Sequence, residues 1–173
     1  MRLHFLILAV IVSFLSCNQK KEIAPPQSNK ALKKTIHTFL DDWHKAASEA
    51  NFKEYFSKMD SASVFIGTDA SENWTKEQFE NFSKPYFDKG EAWNFVALER
   101  NIYMNDANNF IWFDELLETW MGTCRGSGVL EKKDRSWKIK QYVLSIEIPN
   151  ADVQAVILEK RKSDSLFLTR FYK

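Results

Sequence analysis

The stretch from Asn108 to Ser145 limits the possible folds more than any other. It holds three runs rich in β-branched, aromatic and leucine side chains: Phe110–Glu118, Arg125–Leu130 and Trp137–Ser145. Glycine and charge separate them, with the first turn expected at Gly122-Thr123, so the spacing predicts three consecutive antiparallel strands. A sheet this apolar must bury one face, and the rest of the chain is expected to supply the helices that cover it.

Those helices are visible upstream. Leu32, Ile36, Phe39, Leu40, Trp43, Ala47 and Ala50 recur at helical spacing, with Lys33, Lys34, Asp41, Asp42 and Lys45 off that face. Asn51–Met59 reads as a second, short helix, and Ser63–Gly67 as a short strand ending in the turn-rich run Thr68–Asn73. Thr75-Lys76-Glu77-Gln78 has the form of a capping box and starts a third helix with the stripe Phe79, Phe82, Tyr86 and Phe87. Pro85 should kink or shorten that helix, and Gly90 should end it. Trp93–Met104 is another strand, and the turn cluster Asn105–Asn109 joins it to the sheet. Beyond Pro149, Asp152–Lys162 reads as a short helix. Ser163-Asp164-Ser165 should break it, leaving Leu166–Tyr172 to fold back as a strand or to dock on a partner. The domain is therefore α+β, with helices segregated onto one face of a curved antiparallel sheet.

The first residues read as an address. Met1-Arg2 gives a short positive end, and Leu3–Leu15 is uncharged but well short of the ~20 residues that a spanning helix needs. Leu15-Ser16-Cys17 looks like a bacterial lipobox, in which the cysteine is acylated and becomes the new N-terminus. Residues 1–16 are then a signal peptide, and residues 17–29 carry a lipid on Cys17 and a polar, proline-bearing tether. Residues 30–148 form the folded domain and 149–173 a C-terminal extension. The expected location is the bacterial cell envelope, with a membrane as partner through the anchor.

Charge and cysteine content exclude several classes. The net charge is +1 and falls to zero without Arg2, so there is no basic face suited to nucleic acid. Only two cysteines are present, and if Cys17 is acylated Cys124 has no partner, so no internal disulfide framework is expected. His37 and His44 share one side of the first helix but lack a third ligand nearby, which makes a poor metal site. No zinc spacing, phosphate loop or nucleophilic triad appears, and no cofactor is implied.

Four segments, in order, resemble the SnoaL-like branch of the nuclear transport factor 2-like superfamily. They are Gly67-Thr68-Asp69 with Glu72 and Trp74, Trp112-Phe113-Asp114-Glu115, Arg125–Leu130, and Trp137-Lys138-Ile139 running on to Ser145. The resemblance implies a cone-shaped, cystatin-like fold with a pocket between helices and sheet, and commonly a homodimer through the outer sheet face. It does not imply a function, because the fold carries both enzymes and binding proteins. Members often carry histidines where this chain has Gln141 and Val143.

Alternation places Trp137, Ile139, Gln141, Val143 and Ser145 on one face of the last strand. With the turn at Gly122-Thr123, Trp120 sits opposite Arg125 and Glu118 opposite Ser127, and Asp114 and Trp112 extend the same face. That face is expected to be the covered one; a slip of one residue would put Glu115 and Thr119 inside instead. Asp114 is then either a general base with a raised pKa or a partner of Arg125. Arg125 either clamps a ligand carboxylate, pairs with Asp114 or Glu118, or stacks on Trp120. Asp69 and Glu72 form an acid pair at the pocket mouth or favour a helix start. Trp43, Trp74, Tyr86, Trp93, Trp112, Trp120 and Gln141 are the candidate pocket lining, while His44 reaches the pocket mouth or lies on the surface. Two functions follow: binding of a small hydrophobic or aromatic molecule without chemistry, or acid–base catalysis by Asp114 with Arg125 or Tyr86 stabilising an oxyanion.

Overall fold

A computed structural model describes residues 29–172. The expected signal peptide, the acylated Cys17 and nearly all of the tether lie outside the described residues. The elements run α1 (Asn29–Ser48), α2 (Phe52–Ser57), β1 (Met59–Ile66), β2 (Asn73–Thr75), α3 (Lys76–Asp88), β3 (Val96–Met104), β4 (Phe110–Thr119), β5 (Gly122–Lys133), β6 (Ser136–Ile146) and α4 (Val153–Leu168). The six strands form one curved, open sheet in the order β2-β1-β6-β5-β4-β3. All neighbours are antiparallel except β1 and β6, which run parallel. The α+β cone is therefore present, with α1–α3 on the concave face.

Helix α1 lies over the sheet because its stripe Leu32, Ile36, Leu40, Trp43 and Ala47 is apolar, and all five side chains are buried. Helix α3 begins as the capping box predicts. Thr75 Oγ1 accepts from the Gln78 N–H, and Gln78 Oε1 accepts from the Thr75 N–H. The helix runs on through Pro85 to Asp88, and Gly90, at φ +75°, takes the left-handed turn that follows. Phe79 and Phe87 are buried beneath α3, whereas Phe82 and Tyr86 are exposed on its flank.

Three expectations are corrected. The β4–β5 hairpin turns at Trp120-Met121, pairing Thr119 with Gly122, and places Leu116 rather than Trp120 opposite Arg125. Gly122 supplies the positive φ (+85°), and Thr119 Oγ1 accepts from the Met121 N–H and donates to the Gly122 carbonyl. That shift of the turn moves each pairing by four residues and leaves the faces unchanged; separately, the set of β4 that packs under the helices is Ile111, Phe113, Glu115 and Leu117, so Trp112, Asp114 and Glu118 stand on the other face. In β6 a bulge between Ile139 and Tyr142 flips the alternation. Trp137 and Ile139 point inward as expected, but Tyr142 and Leu144 replace Gln141 and Val143 on the inner face.

The second correction is β2, three residues that pair antiparallel with the end of β1 where only a turn was expected. The third is α4, which continues through Ser163-Asp164-Ser165 to Leu168, spanned by a Lys160–Asp164 ion pair at 3.3 Å. Serine and aspartate cost a helix only a few tenths of a kcal/mol each, roughly, too little to stop one already propagating. No residue of α4 is buried.

Candidate functional site

Two features meet inside the cone. One is a polar cluster built around Glu115, whose side chain is fully buried. Strand register places Arg100 directly across from it on β3 and Gly126 across from it on β5. Arg100 Nε donates to Glu115 Oε2 at 2.7 Å; His44, descending from α1, places Nε2 2.7 Å from Oε1; and the Tyr142 hydroxyl donates to Oε1 at 2.9 Å. Arg100 Nη1 also donates to the His37 carbonyl at 3.1 Å and to Asp41 at 2.7 Å, tying α1 to the sheet. Gly126 makes this possible, since a Cβ there would overlap the Tyr142 hydroxyl and come within 3.0 Å of Glu115 Cγ.

The electrostatics follow from that geometry. Burial pushes the Glu115 carboxyl upward, but the His44 hydrogen bond and the charges of His44 and Arg100 outweigh it and hold the pKa at about 2. Burial is also the main reason that Tyr142 and Tyr55 are raised well above the ordinary phenol range, with the Glu115 charge adding to it. Glu115 is thus a carboxylate with both oxygens occupied and little basicity, a poor general base near neutral pH.

The second feature is a cavity of about 870 Å³ between α3, the segment before β3, the β4–β5 turn and the sheet. Phe65, Phe79 and Leu144 form its inner wall, and Trp74, Trp93 and Trp120 are its indoles. The rings are largely aligned. Phe65 stacks on Phe79 at 3.8 Å and 15°, Trp74 and Trp93 lie nearly parallel to Phe79 at 5.7 Å, and Trp74 stacks on Phe82 at 4.4 Å. The Glu115 cluster lies behind this wall: Phe65 stacks on Tyr142 at 5.8 Å, and Phe95, another lining residue, lies 6.2 Å from the His44 ring. None of the four clustered side chains lines the cavity.

Of the residues expected from sequence, Trp74, Tyr86, Trp93 and Trp120 line the cavity. Trp43 does not: it is core, stacked on Tyr55 at 4.9 Å and edge-on to Tyr142 at 4.8 Å. Trp112 lies on the outer sheet face, stacked on Tyr103 at 6.0 Å, and Gln141 is exposed on that face. Asp114 and Arg125 also stand outside, 3.3 Å apart, with Arg125 reaching Glu147 at 3.2 Å. Asp69 sits in the loop beside the mouth, where it accepts from the Ser71 hydroxyl and N–H, and these bonds lower its pKa. Its neighbours Gly67, Thr68 and Glu72 line the cavity. Cys124 lies in β5 and is buried, its sulfur 3.5 Å from Thr119 Oγ1.

Sequence reasoning missed Arg100 altogether and did not join His44, Glu115 and Tyr142. It also missed Glu91 and Met121 as lining residues. One signal was available in β5, where Gly126 and Gly128 alternate with Arg125, Ser127 and Val129. Two glycines on one strand face mark the side against which bulky groups press, and here those groups are Tyr142 and Phe113.

With this geometry in place, the comparisons fit. A family model for the SnoaL-like domain matches residues 36–149. The chain belongs to the SnoaL-like family. Solved structures agree on the fold. A nuclear transport factor 2-like protein of unknown function from Pseudomonas putida is 8% identical, at TM-score 0.60 over 70% of this chain and 90% of that one. A like protein from Cytophaga hutchinsonii is 16% identical, at TM-score 0.56 over 66% and 98%. The association domain of CaMKII from C. elegans is 19% identical, at TM-score 0.58 over 70% and 100%. No curated protein matches the sequence. At these identities the likeness shows the fold alone.

Proposed function

We propose that this SnoaL-like protein is a lipid-anchored component of the bacterial cell envelope. Its cavity holds a small hydrophobic or aromatic molecule without transforming it. The observation that carries the reading is the cavity wall, in which parallel aromatic rings present an apolar surface of drug-sized volume. The coupled ionisable cluster of Glu115, Arg100 and His44 stands behind that wall with its carboxylate saturated, which suits a brace between α1 and the sheet better than a catalyst. Asp114, the candidate base, faces away from the cavity.

The anchor rests on Leu15-Ser16-Cys17 and on the polar tether behind it. A homodimer through the outer sheet face is supported by the apolar side chains exposed there, among them Leu98, Tyr103, Phe110 and Trp112. Calorimetric titration of the full chain with naphthylmethanol tests the pocket. Binding should weaken sharply in Trp93→Ala and persist in Trp112→Ala. Equal loss in both variants, or no binding to the unaltered chain, overturns the reading.

A further inference from the structure

The two ends of the cone differ in kind. At one end the β3–β4 turn (105–109) and the β5–β6 turn (134–135) hold no apolar side chain larger than alanine. At the other lies the cavity mouth, where the β4–β5 turn, the loop after β1 and the flank of α3 meet. Three aromatic residues that line the cavity are exposed there. Phe82 and Tyr86 stand on α3 with their rings 5.6 Å apart, and Trp120, 81% exposed, forms the tip of the turn. Indole and phenol rings, apolar in body and polar at one edge, suit a boundary between water and lipid.

Helix α4 leaves from the same end, since Ile146 at the close of β6 pairs with Cys124 near the β4–β5 turn. Just past the helix, Arg170 lies near enough to Asp69, in the loop beside the mouth, for its charge to help lower that carboxyl's pKa. A helix ordinarily owes its stability to packing an apolar face. Yet α4 buries no residue, and Leu158, Leu166, Phe171 and Tyr172 are all more than half exposed. The segment also carries Lys160, Arg161, Lys162 and Arg170 against Glu159 and Asp164, a cationic surplus in a chain whose total charge is +1. Apolar and cationic side chains together match a bilayer surface, which offers acyl chains beneath phosphate oxygens. Glu72 and Glu91 line the same mouth and are repelled by phosphate, so the aromatic rings and α4 carry the contact.

The chain is long enough for that contact. Asn29, at the root of the tether, accepts from the Asn108 side chain at the polar end, 3.2 Å away. The ten residues of β4 separate the two ends by roughly 30 Å. Twelve residues lead from Cys17 to Asn29 and reach at most ~40 Å. A lipid on Cys17 therefore stays in the bilayer while the far end of the cone touches it.

We propose that the mouth of the cone, together with α4, rests on the lipid bilayer that holds Cys17, so that the hydrophobic ligand passes between bilayer and cavity without crossing water. This rests on the anchor proposed above and adds the surface against which the anchored domain works.

The test reconstitutes the full chain, its acylation checked by mass spectrometry, into vesicles of phosphatidylcholine brominated high on the acyl chains. Tryptophan emission is compared with that in unbrominated vesicles, because bromine quenches only indoles close to it. Emission should fall in the brominated vesicles. The fall should be largely lost in Trp120→Phe, shrink when Arg161→Glu and Lys162→Glu are combined, and persist in Trp112→Phe, whose indole stands on the outer sheet face. An acylated, vesicle-bound chain without quenching overturns this inference and leaves the anchor standing; the mouth is then free or covered by protein. Quenching that Trp120→Phe or the paired α4 substitutions leave intact, or that Trp112→Phe removes, also overturns it. A chain that carries no lipid and stays in the aqueous phase overturns both.

Discussion

Replacing Glu115 with glutamine removes one proton's worth of charge and one oxygen, and both losses fall where water cannot compensate. Glu115 accepts from three donors, and its side chain is inaccessible to solvent, as nearly is that of Arg100, at 3% exposure. A glutamine oriented to keep His44 and Tyr142 turns its amide N–H toward Arg100 Nε, donor against donor. Flipped, it satisfies Arg100 but faces Tyr142 and His44 with N–H groups. In the first pose the guanidinium retains only Asp41 and the His37 carbonyl, and in either pose it loses its buried anionic partner. Removing one member of a buried ion pair costs about 3–5 kcal/mol, a third or more of the stability of an ordinary domain. For a chain of this length that corresponds to a fall in melting temperature of roughly 6–20 °C.

The acid limb gives an independent reading of the same charge. The folded-state pKa of Glu115 lies at about 2, below the ordinary 4.5. Its contribution is therefore complete above pH 4.5 and lost as the pH falls toward 2, an amount of order ~3 kcal/mol. Urea unfolding of both proteins from pH 7 to pH 2 should show a gap that is constant down to about pH 4.5 and then closes. A variant within about 1 kcal/mol of the parent, with parallel acid limbs, would refute the claim that the Glu115 charge braces the cone.

The other predictions concern its surroundings. Arg100→Met combined with Glu115→Leu should recover most of the stability that Glu115→Gln loses, because an apolar pair leaves no buried charge; urea midpoints decide. Gly126→Ala and Gly128→Ala should each destabilise by about 1–3 kcal/mol or more, since the added methyl meets Glu115 Cγ and the Tyr142 hydroxyl in one case and the Phe113 ring in the other. Asp114→Asn should change the urea-derived stability by less than about 1 kcal/mol, as its contact with Arg125 is half-exposed. Fatty-acid labelling in bacteria should mark the chain and be abolished in Cys17→Ser, with release of the protein from the membrane fraction.

How much of this was legible depends on which rule governed each element. Helix α1 and the start of α3 followed from periodicity and a capping box, because both signals are local and the structure uses them unaltered. The four strands β3–β6 were legible for the same reason. The inner face was not, since it hinges on two features that alternation alone does not contain. Which alternate set of β4 packs inward is decided by the helices above it, not by the turn, whose misplacement shifted partners by four residues and left the faces unchanged; the bulge in β6 reversed the pleat in mid-strand. The pocket tryptophans survived these errors because Trp93 and Trp120 lie outside the strands and Trp74 lies in the short β2, away from the β4–β6 pairings that were misread. Trp43 and Trp112 sit mid-element, and for them the side of the element decided everything.

The same geometry explains why the fold keeps a charged cluster in its core. The bulge brings Tyr142 inward beside Gly126, and the β3–β4 register brings Arg100 across from Glu115. A one-residue slip in either pairing would turn one of these groups outward and leave the rest buried without partners, at a cost of several kcal/mol. An apolar cluster would tolerate such a slip more readily, since one buried hydrocarbon replaces another. The Glu115 network therefore penalises wrong registers in a sheet whose outer face is also apolar, where burial by itself discriminates poorly between the two faces. If so, the Arg100→Met, Glu115→Leu protein should be stable yet less uniform, with broadened amide resonances along β3 and β4. Sharp, singly populated resonances there would show that packing alone sets the register.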